Sequence, residues 1–332
     1  MFEPSTNFGC RKLFEQEASD MRALLFPGQG SQKIGMAKAM VEKYPWAAEM
    51  AEKADALLER PISQICFNGP EEELKKTINT QPAIFLASAM LTEWLRQNRY
   101  EYAVTAGHSL GEYNALFAAG VASFDDLIRV VAVRAHAMEK ACPAGTGAMS
   151  AVLMLDRCEV ERVCQEASAE GVCVVANFNC PGQVVISGLA AAVKKAGELA
   201  LSKGARKVTP LEVSGPFHSP LMQSARDELA TALADVRFVD ARVPVYCNID
   251  GLPTTSAIEL KNKLLQQITG SVRYEDAVLN MIKHGVSEFV EAGPGKVLAG
   301  LNKKIAASVP TQFASDPQSL CALLQATMAG EF

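Results

Sequence analysis

Histidine is scarce in this 332-residue chain, which has four, and its nine cysteines include no C-x-x-C pair. Zinc modules need paired ligands at short spacing, so no metal and no other cofactor is expected. The same scattering argues against a disulfide framework and for buried thiols in a reducing compartment. There is no basic surplus either: 32 Lys and Arg stand against 37 Asp and Glu, a net charge of −5. A nucleic-acid or anionic-membrane surface needs the opposite balance, so neither partner is expected. No apolar run approaches the roughly 20 residues of a spanning helix. Residues 1–20 lack the apolar core of a secretory signal, and Glu3, Glu15, Glu17 and Asp20 are too acidic for an organelle transit peptide. They read as a poorly ordered extension before a fold that begins at Met21, and cytoplasm is the expected compartment. Hydrophobic residues make up 49% of the chain and charged ones 21%, an ordinary globular balance.

Short apolar runs alternate with helical periodicity. Arg22 to Phe26 reads as a strand that breaks at Pro27-Gly28-Gln29-Gly30-Ser31-Gln32, before a helix from Met36 to Tyr44. Gln81 to Asn98 has helical spacing, and Tyr102 to Ala106 is a second strand running into Gly107-His108-Ser109-Leu110-Gly111 and a further helix. This alternation implies an α/β core, α/β-hydrolase-like, with a mainly parallel sheet. The middle changes rhythm. Strand Ala148–Leu155, helix Cys158–Glu170, strands Val172–Phe178 and Gln183–Ser187 about the turn Asn179 to Gly182, helix Ala190–Lys203 and strand Arg206–Val213 form a β-α-β-β-α-β series. That is a complete ferredoxin-like unit. Residues 146–213 are therefore expected to be a small domain inserted in a large catalytic domain made of 21–145 and 214–320. After it come a helix at Leu221–Ala234, a strand at Val243–Asn248, helices at Ile258–Gln267 and Tyr274–His284, and a strand at Glu288–Glu291.

Gly107-x-Ser109-x-Gly111 between a strand and a helix is the pattern of a nucleophile elbow, in which the glycines permit the sharp turn that presents the hydroxyl. A serine needs a base. His108 adjoins the nucleophile and is expected to pack under the turn, while His136 and His284 lie on helical stretches as surface or packing residues. His218 sits in the rigid turn Gly215-Pro216-Phe217-His218-Ser219-Pro220 at the expected domain junction, and it is the candidate base. The loop around Gln29 follows the first strand and ends near the elbow, where a backbone N–H can serve an oxyanion. Arg134, read alone, is a solvent-facing or salt-bridged arginine. A dinucleotide fingerprint is excluded because Lys33 stands where its third glycine belongs.

The ordered set Phe26 to Gln32, Gln81-Pro82-Ala83, Gly107 to Glu112, Asn179-x-Pro181-Gly182-Gln183-Val184-Val185-x-Ser187-Gly188, Phe217-His218-Ser219 and Glu291-x-Gly293-Pro294-Gly295 resembles the malonyl-CoA:acyl carrier protein transacylases and the related acyltransferase domains of polyketide synthases. The resemblance spans residues 22 to 305. It implies ping-pong transfer of malonyl from coenzyme A, through an ester on Ser109, to the phosphopantetheine thiol of holo-acyl carrier protein. His218 would be the base, and the amides of Gln29 and Leu110 the oxyanion donors. Arg134 would grip the malonyl carboxylate, and Phe217 and Asn179 would face the substrate. The backbone carbonyl of Arg273 would orient the histidine, although Ser271 and Tyr274 depart from the Pro and Trp frequent in the family. The implied role is fatty acid synthesis, with a trans-acting polyketide acyltransferase as the alternative. A serine thioester hydrolase fits less well, because no clear acidic triad member precedes a late histidine. A monomer is expected.

Overall fold

Ala23 to Phe26 are four consecutive apolar residues with no solvent exposure, which a strand achieves only when both its faces are covered. They belong to β1 (Met21–Phe26), the third strand in the larger of two sheets of the computed structural model, which describes residues 21–143 and 145–329. The expectation for residues 1–20 lies outside the described residues. Beyond β1 the strands are β2 (Val104–Gly107), β3 (Gly147–Leu153), β4 (Cys173–Cys180), β5 (Gln183–Leu189), β6 (Lys207–Pro210), β7 (Val245–Tyr246), β8 (Pro253–Thr254), β9 (Val286–Ala292) and β10 (Thr311–Ala314). The large sheet has the order β10-β9-β1-β2-β7-β8, parallel except for the edge strand β8. Register sets Phe26 opposite Gly107, so the loops leaving β1 and β2 emerge side by side at the carboxyl edge of the sheet, where α/β folds build their sites.

The smaller sheet has the order β4-β5-β3-β6 with every neighbouring pair antiparallel. Helices Arg157–Ala167 and Ala190–Ser202 cover it, and Val152, Val160, Val163, Phe178, Ile186 and Val193 form a core of their own. This is the β-α-β-β-α-β unit read from the sequence, with its two hairpin strands β4 and β5 ending later and its last strand β6 shorter than expected. The hairpin between β4 and β5 turns on Pro181-Gly182 alone, so Asn179 and Cys180 are strand residues and not part of the turn. The strand expected over Val243–Asn248 keeps only Val245–Tyr246 in the ladder. Cys247 N bonds Leu252 O, and Asn248 is released toward the elbow.

One irregularity joins the sheets. The register between β4 and β5 slips between Val175 and Asn177, which leaves Ala176 as an extra residue, a β-bulge. Ala176 O then accepts from Val272 N at 2.7 Å, and Phe178 N donates to Val272 O at 2.9 Å. Asp276 adds charge to the seam by pairing with Arg157 at 2.9 Å and Arg273 at 2.7 Å. The bulge turns Asn177 and Asn179 toward the elbow, while Val175 and Phe178 stay in the small core. The last helix, Pro317–Ala329, buries Leu320 and Leu323 in the large core, which thus extends past residue 320.

Candidate active site

Between β2 and the helix Gly111–Ala118 the chain turns so tightly that side chains at two positions are impossible. A Cβ on Gly107 would lie 2.0 Å from the Gly111 carbonyl carbon, and one on Gly111 would lie 2.0 Å from Phe26 O. Ser109 takes the strain of this elbow with φ +52°, a left-handed backbone that costs a non-glycine residue about 1–3 kcal/mol. Asn248 holds the turn shut: its Oδ1 accepts from Ser109 N at 2.7 Å and its Nδ2 donates to Gly107 O at 2.6 Å.

His218 also sits at positive φ, +57°, and places Nε2 2.8 Å from Ser109 Oγ. Its Nδ1 lies 2.8 Å from the backbone carbonyl of Gln267. A carbonyl can only accept, so Nδ1 carries the proton and Nε2 is the bare nitrogen facing the serine. The orienting carbonyl is thus that of Gln267, and the expectation of Arg273 is corrected. Arg273 caps the helix Tyr274–Lys283, and its own carbonyl accepts from Ala277 N at 3.0 Å. Burial above all, and then the charge of Arg134, pulls the His218 pKa from 6.5 down to about 3, so the imidazole is neutral.

Arg134 is neither solvent-facing nor salt-bridged: it is 1% exposed, and it makes no ion pair among the described residues. The helix Phe124–Lys140 delivers it beside the elbow, where Nη1 donates to Gln81 Oε1 at 2.6 Å. Nη2 donates to Gln267 Oε1 at 2.9 Å and to Ser109 Oγ at 3.0 Å, and Nε has no partner. Gln267 Nε2 reaches Ser109 O at 3.0 Å and Glu112 Oε2 at 2.7 Å. Burial raises the Glu112 pKa from 4.5 to about 7.

Ser109, His218, Arg134, Phe217, Asn179 and Leu110 line one cavity of about 160 Å³, and Gln29 also borders it. The backbone amides of Gln29 and Leu110 donate to no acceptor among the described residues. His108 does pack, on the Tyr274 ring at 5.6 Å, yet it also lines the cavity and its Nε2 lies 2.8 Å from Asn179 Oδ1. His136 is exposed and His284 pairs with Tyr246, so neither joins the site. Gln81 and Glu112 stood inside sequence motifs without an assigned task. Gln267 went unnoticed, although its signal was there: on the helix Ala257–Thr269 it occupies the same buried stripe as Leu260, Leu264 and Ile268. A glutamine with no exposure on an apolar stripe has a polar partner to meet.

The described residues hold no group of three or more His, Cys, Asp or Glu suited to a metal, and no helix long and apolar enough to cross a membrane. The described cysteines are free thiols. An imidazole with a bare nitrogen against a strained serine can exchange acyl groups through a serine ester, the chemistry shared by serine acyltransferases and serine hydrolases. Residues 23–319 match the acyl transferase domain family, and the chain belongs to it. It is an acyltransferase. It is 45% identical over 299 residues to the malonyl CoA-acyl carrier protein transacylase of Bacillus subtilis, covering 90% of this chain and 94% of that protein. The Escherichia coli K12 protein of the same name is 41% identical over 304 residues, covering 91% of this chain and 98% of its own length. Among solved structures, the acyl carrier protein S-malonyltransferase of Vibrio cholerae superposes with TM-score 0.89 at 40% identity, covering 92% of this chain and 100% of that one. A malonyl-transacylase in complex with a type II polyketide carrier protein does so with TM-score 0.89 at 37% identity, covering 92% and 99%.

Proposed function

We propose that the chain carries malonyl from coenzyme A to the phosphopantetheine thiol of an acyl carrier protein, in a ping-pong cycle through an ester on Ser109. The observation that carries this reading is the position of Ser109 Oγ, 2.8 Å from a neutral imidazole nitrogen and 3.0 Å from a buried guanidinium. A nucleophile, its base and a receptor for a carboxylate thus converge on one atom. His218 takes the serine proton as Oγ attacks the thioester carbonyl, and the tetrahedral oxyanion rests on the amides of Gln29 and Leu110. Collapse expels coenzyme A as a thiol, protonated by His218. The carrier thiol then repeats the sequence in reverse, with His218 as its base. Arg134, buried among neutral partners, binds the malonyl carboxylate, and Phe217 and Asn179 bound the acyl group. Coenzyme A and holo-acyl carrier protein are the partners that this cycle requires.

The relatives' names support malonyl and a carrier protein as donor group and acceptor. The role we assign is fatty acid synthesis. The structural neighbour bound to a polyketide carrier protein favours, as a second reading, the same transfer in polyketide assembly. Mixing the protein with malonyl-CoA and no acceptor should add one malonyl group to the peptide containing Ser109, and Ser109→Ala should not be modified. A malonyl adduct that persists in that variant would refute the reading.

A further inference from the structure

Arg134 makes a contact that binding a carboxylate does not require: its Nη2 donates to the oxygen of the nucleophile. A guanidinium has two edges that can grip a carboxylate at two points, Nη1 with Nη2 and Nε with Nη2, and both include Nη2. That nitrogen has two protons, and both are engaged, one by Gln267 Oε1 at 2.9 Å and one by Ser109 Oγ at 3.0 Å. A carboxylate held at two points therefore displaces one of them. Gln267 is anchored through Nε2 to Ser109 O, Glu112 Oε2 and Asn248 Oδ1, so its amide stays. The contact that yields is the one to Ser109. Nε is buried and has no hydrogen-bond partner.

We propose that Arg134 restrains Ser109 in the absence of substrate and that the carboxylate of the acyl donor releases it. In this arrangement Ser109 Oγ shares its proton with His218 and gives a lone pair to a cation, which withdraws the electron density that attack on a carbonyl needs. The same cation, which makes no ion pair among the described residues, opposes a second positive charge on His218, the charge the base must accept as the serine reacts. An anion on Arg134 removes both restraints at once. Donors without a carboxylate, and water, meet the restrained serine, so selection acts on reactivity as well as on binding.

This inference rests on the malonyl reading, and its test is independent of malonyl-CoA. Methanesulfonyl fluoride is a small neutral electrophile. Attack forms the Oγ–S bond, breaks S–F, releases fluoride and passes the proton to His218. Intact mass with peptide mapping follows the labelling of Ser109 in the wild-type protein as formate is titrated in at constant ionic strength. Formate is the smallest carboxylate and supplies the anion without an acyl carbon over the serine. The expected result is a saturable acceleration on the order of tenfold, the size set by one charge-assisted hydrogen bond. In Arg134→Met, labelling should be fast from the start and indifferent to formate. Labelling of the wild type that formate leaves unchanged, slows or fails to elicit overturns the proposal. A protein that accepts malonyl from coenzyme A yet shows no formate effect refutes the release alone, whereas absence of the malonyl adduct refutes the function.

Discussion

The main-chain oxygen of Gln267 receives the Nδ1 proton of His218 at 2.8 Å, while the side chain of the same glutamine receives an Arg134 proton at 2.9 Å. One residue thus fixes the tautomer of the candidate base and the direction of the candidate carboxylate receptor. Replacing it separates the two tasks. Gln267→Ala keeps the carbonyl, and with it the imidazole orientation, but strips Arg134 and Glu112 of a buried partner. Buried groups left unpaired cost about 1–3 kcal/mol each, so the urea midpoint should fall. The KM for malonyl-CoA should rise on the order of tenfold while the base remains competent. Collapse of kcat with KM unchanged would place the whole effect on the histidine.

Arg134→Ala removes the only guanidinium that borders the cavity among the described residues. Charge-assisted bonds are worth about 1.5–3 kcal/mol each, so two of them predict a loss of malonyl transfer on the order of a hundredfold or more. Acetyl-CoA has no carboxylate to be gripped and meets the serine that Arg134 restrains, so its transfer should rise in the variant. Parallel kcat/KM measurements on both donors decide the matter, and an equal fall would assign the residue a structural task.

Phe217 is 6% exposed and lines the cavity one residue before His218. Under the proposed function its ring would limit the space beside the acyl α-carbon. One methyl group changes discrimination by about 1–3 kcal/mol, so malonyl-CoA should be preferred over methylmalonyl-CoA clearly but not absolutely. Phe217→Ser should narrow that preference. Competition between the two donors on both proteins measures it, and an unchanged ratio would leave Phe217 only the packing of its turn.

Glu112 and His218 bend the pH dependence of stability in opposite directions. The folded-state pKa of His218, about 3, lies below its ordinary 6.5, so the unfolded chain is protonated first and stability falls as pH drops below 6.5. That of Glu112, about 7, lies above its ordinary 4.5, so the folded chain is protonated first and stability rises as pH drops from 7 toward 4.5. Between 4.5 and 6.5 the two slopes offset each other. Glu112→Gln keeps an oxygen for Asn248 N and Gln267 Nε2 and removes the second slope. Relative to wild type, the variant should lose up to about 1.4 kcal/mol per pH unit over that range. Urea midpoints at neutral and mildly acid pH test it, and parallel curves would show that Glu112 does not titrate there.

The order of strands and helices, the elbow and the small inserted sheet were legible in the sequence because each is written locally. A strand needs a short apolar run and a helix a periodic stripe, and the elbow needs glycine where a Cβ would strike Gly111 or Phe26. The candidate serine and histidine were legible for the same reason, since each stands in a rigid turn with its own punctuation. Arg134 read alone was misleading, because sequence spacing does not reveal that a helix face is buried against an elbow 25 residues earlier. The carbonyl that orients His218 was out of reach altogether. Every residue carries the same carbonyl, so a backbone acceptor leaves no side-chain signature, and only the packing of the helix Ala257–Thr269 decides which of them meets Nδ1. The sequence determined which groups are the candidates for the chemistry. The tertiary structure decided which neutral partners surround the buried Arg134, because hydrogen bonds between residues as distant as Ser109 and Gln267, 158 positions apart, exist only once the sheets have closed.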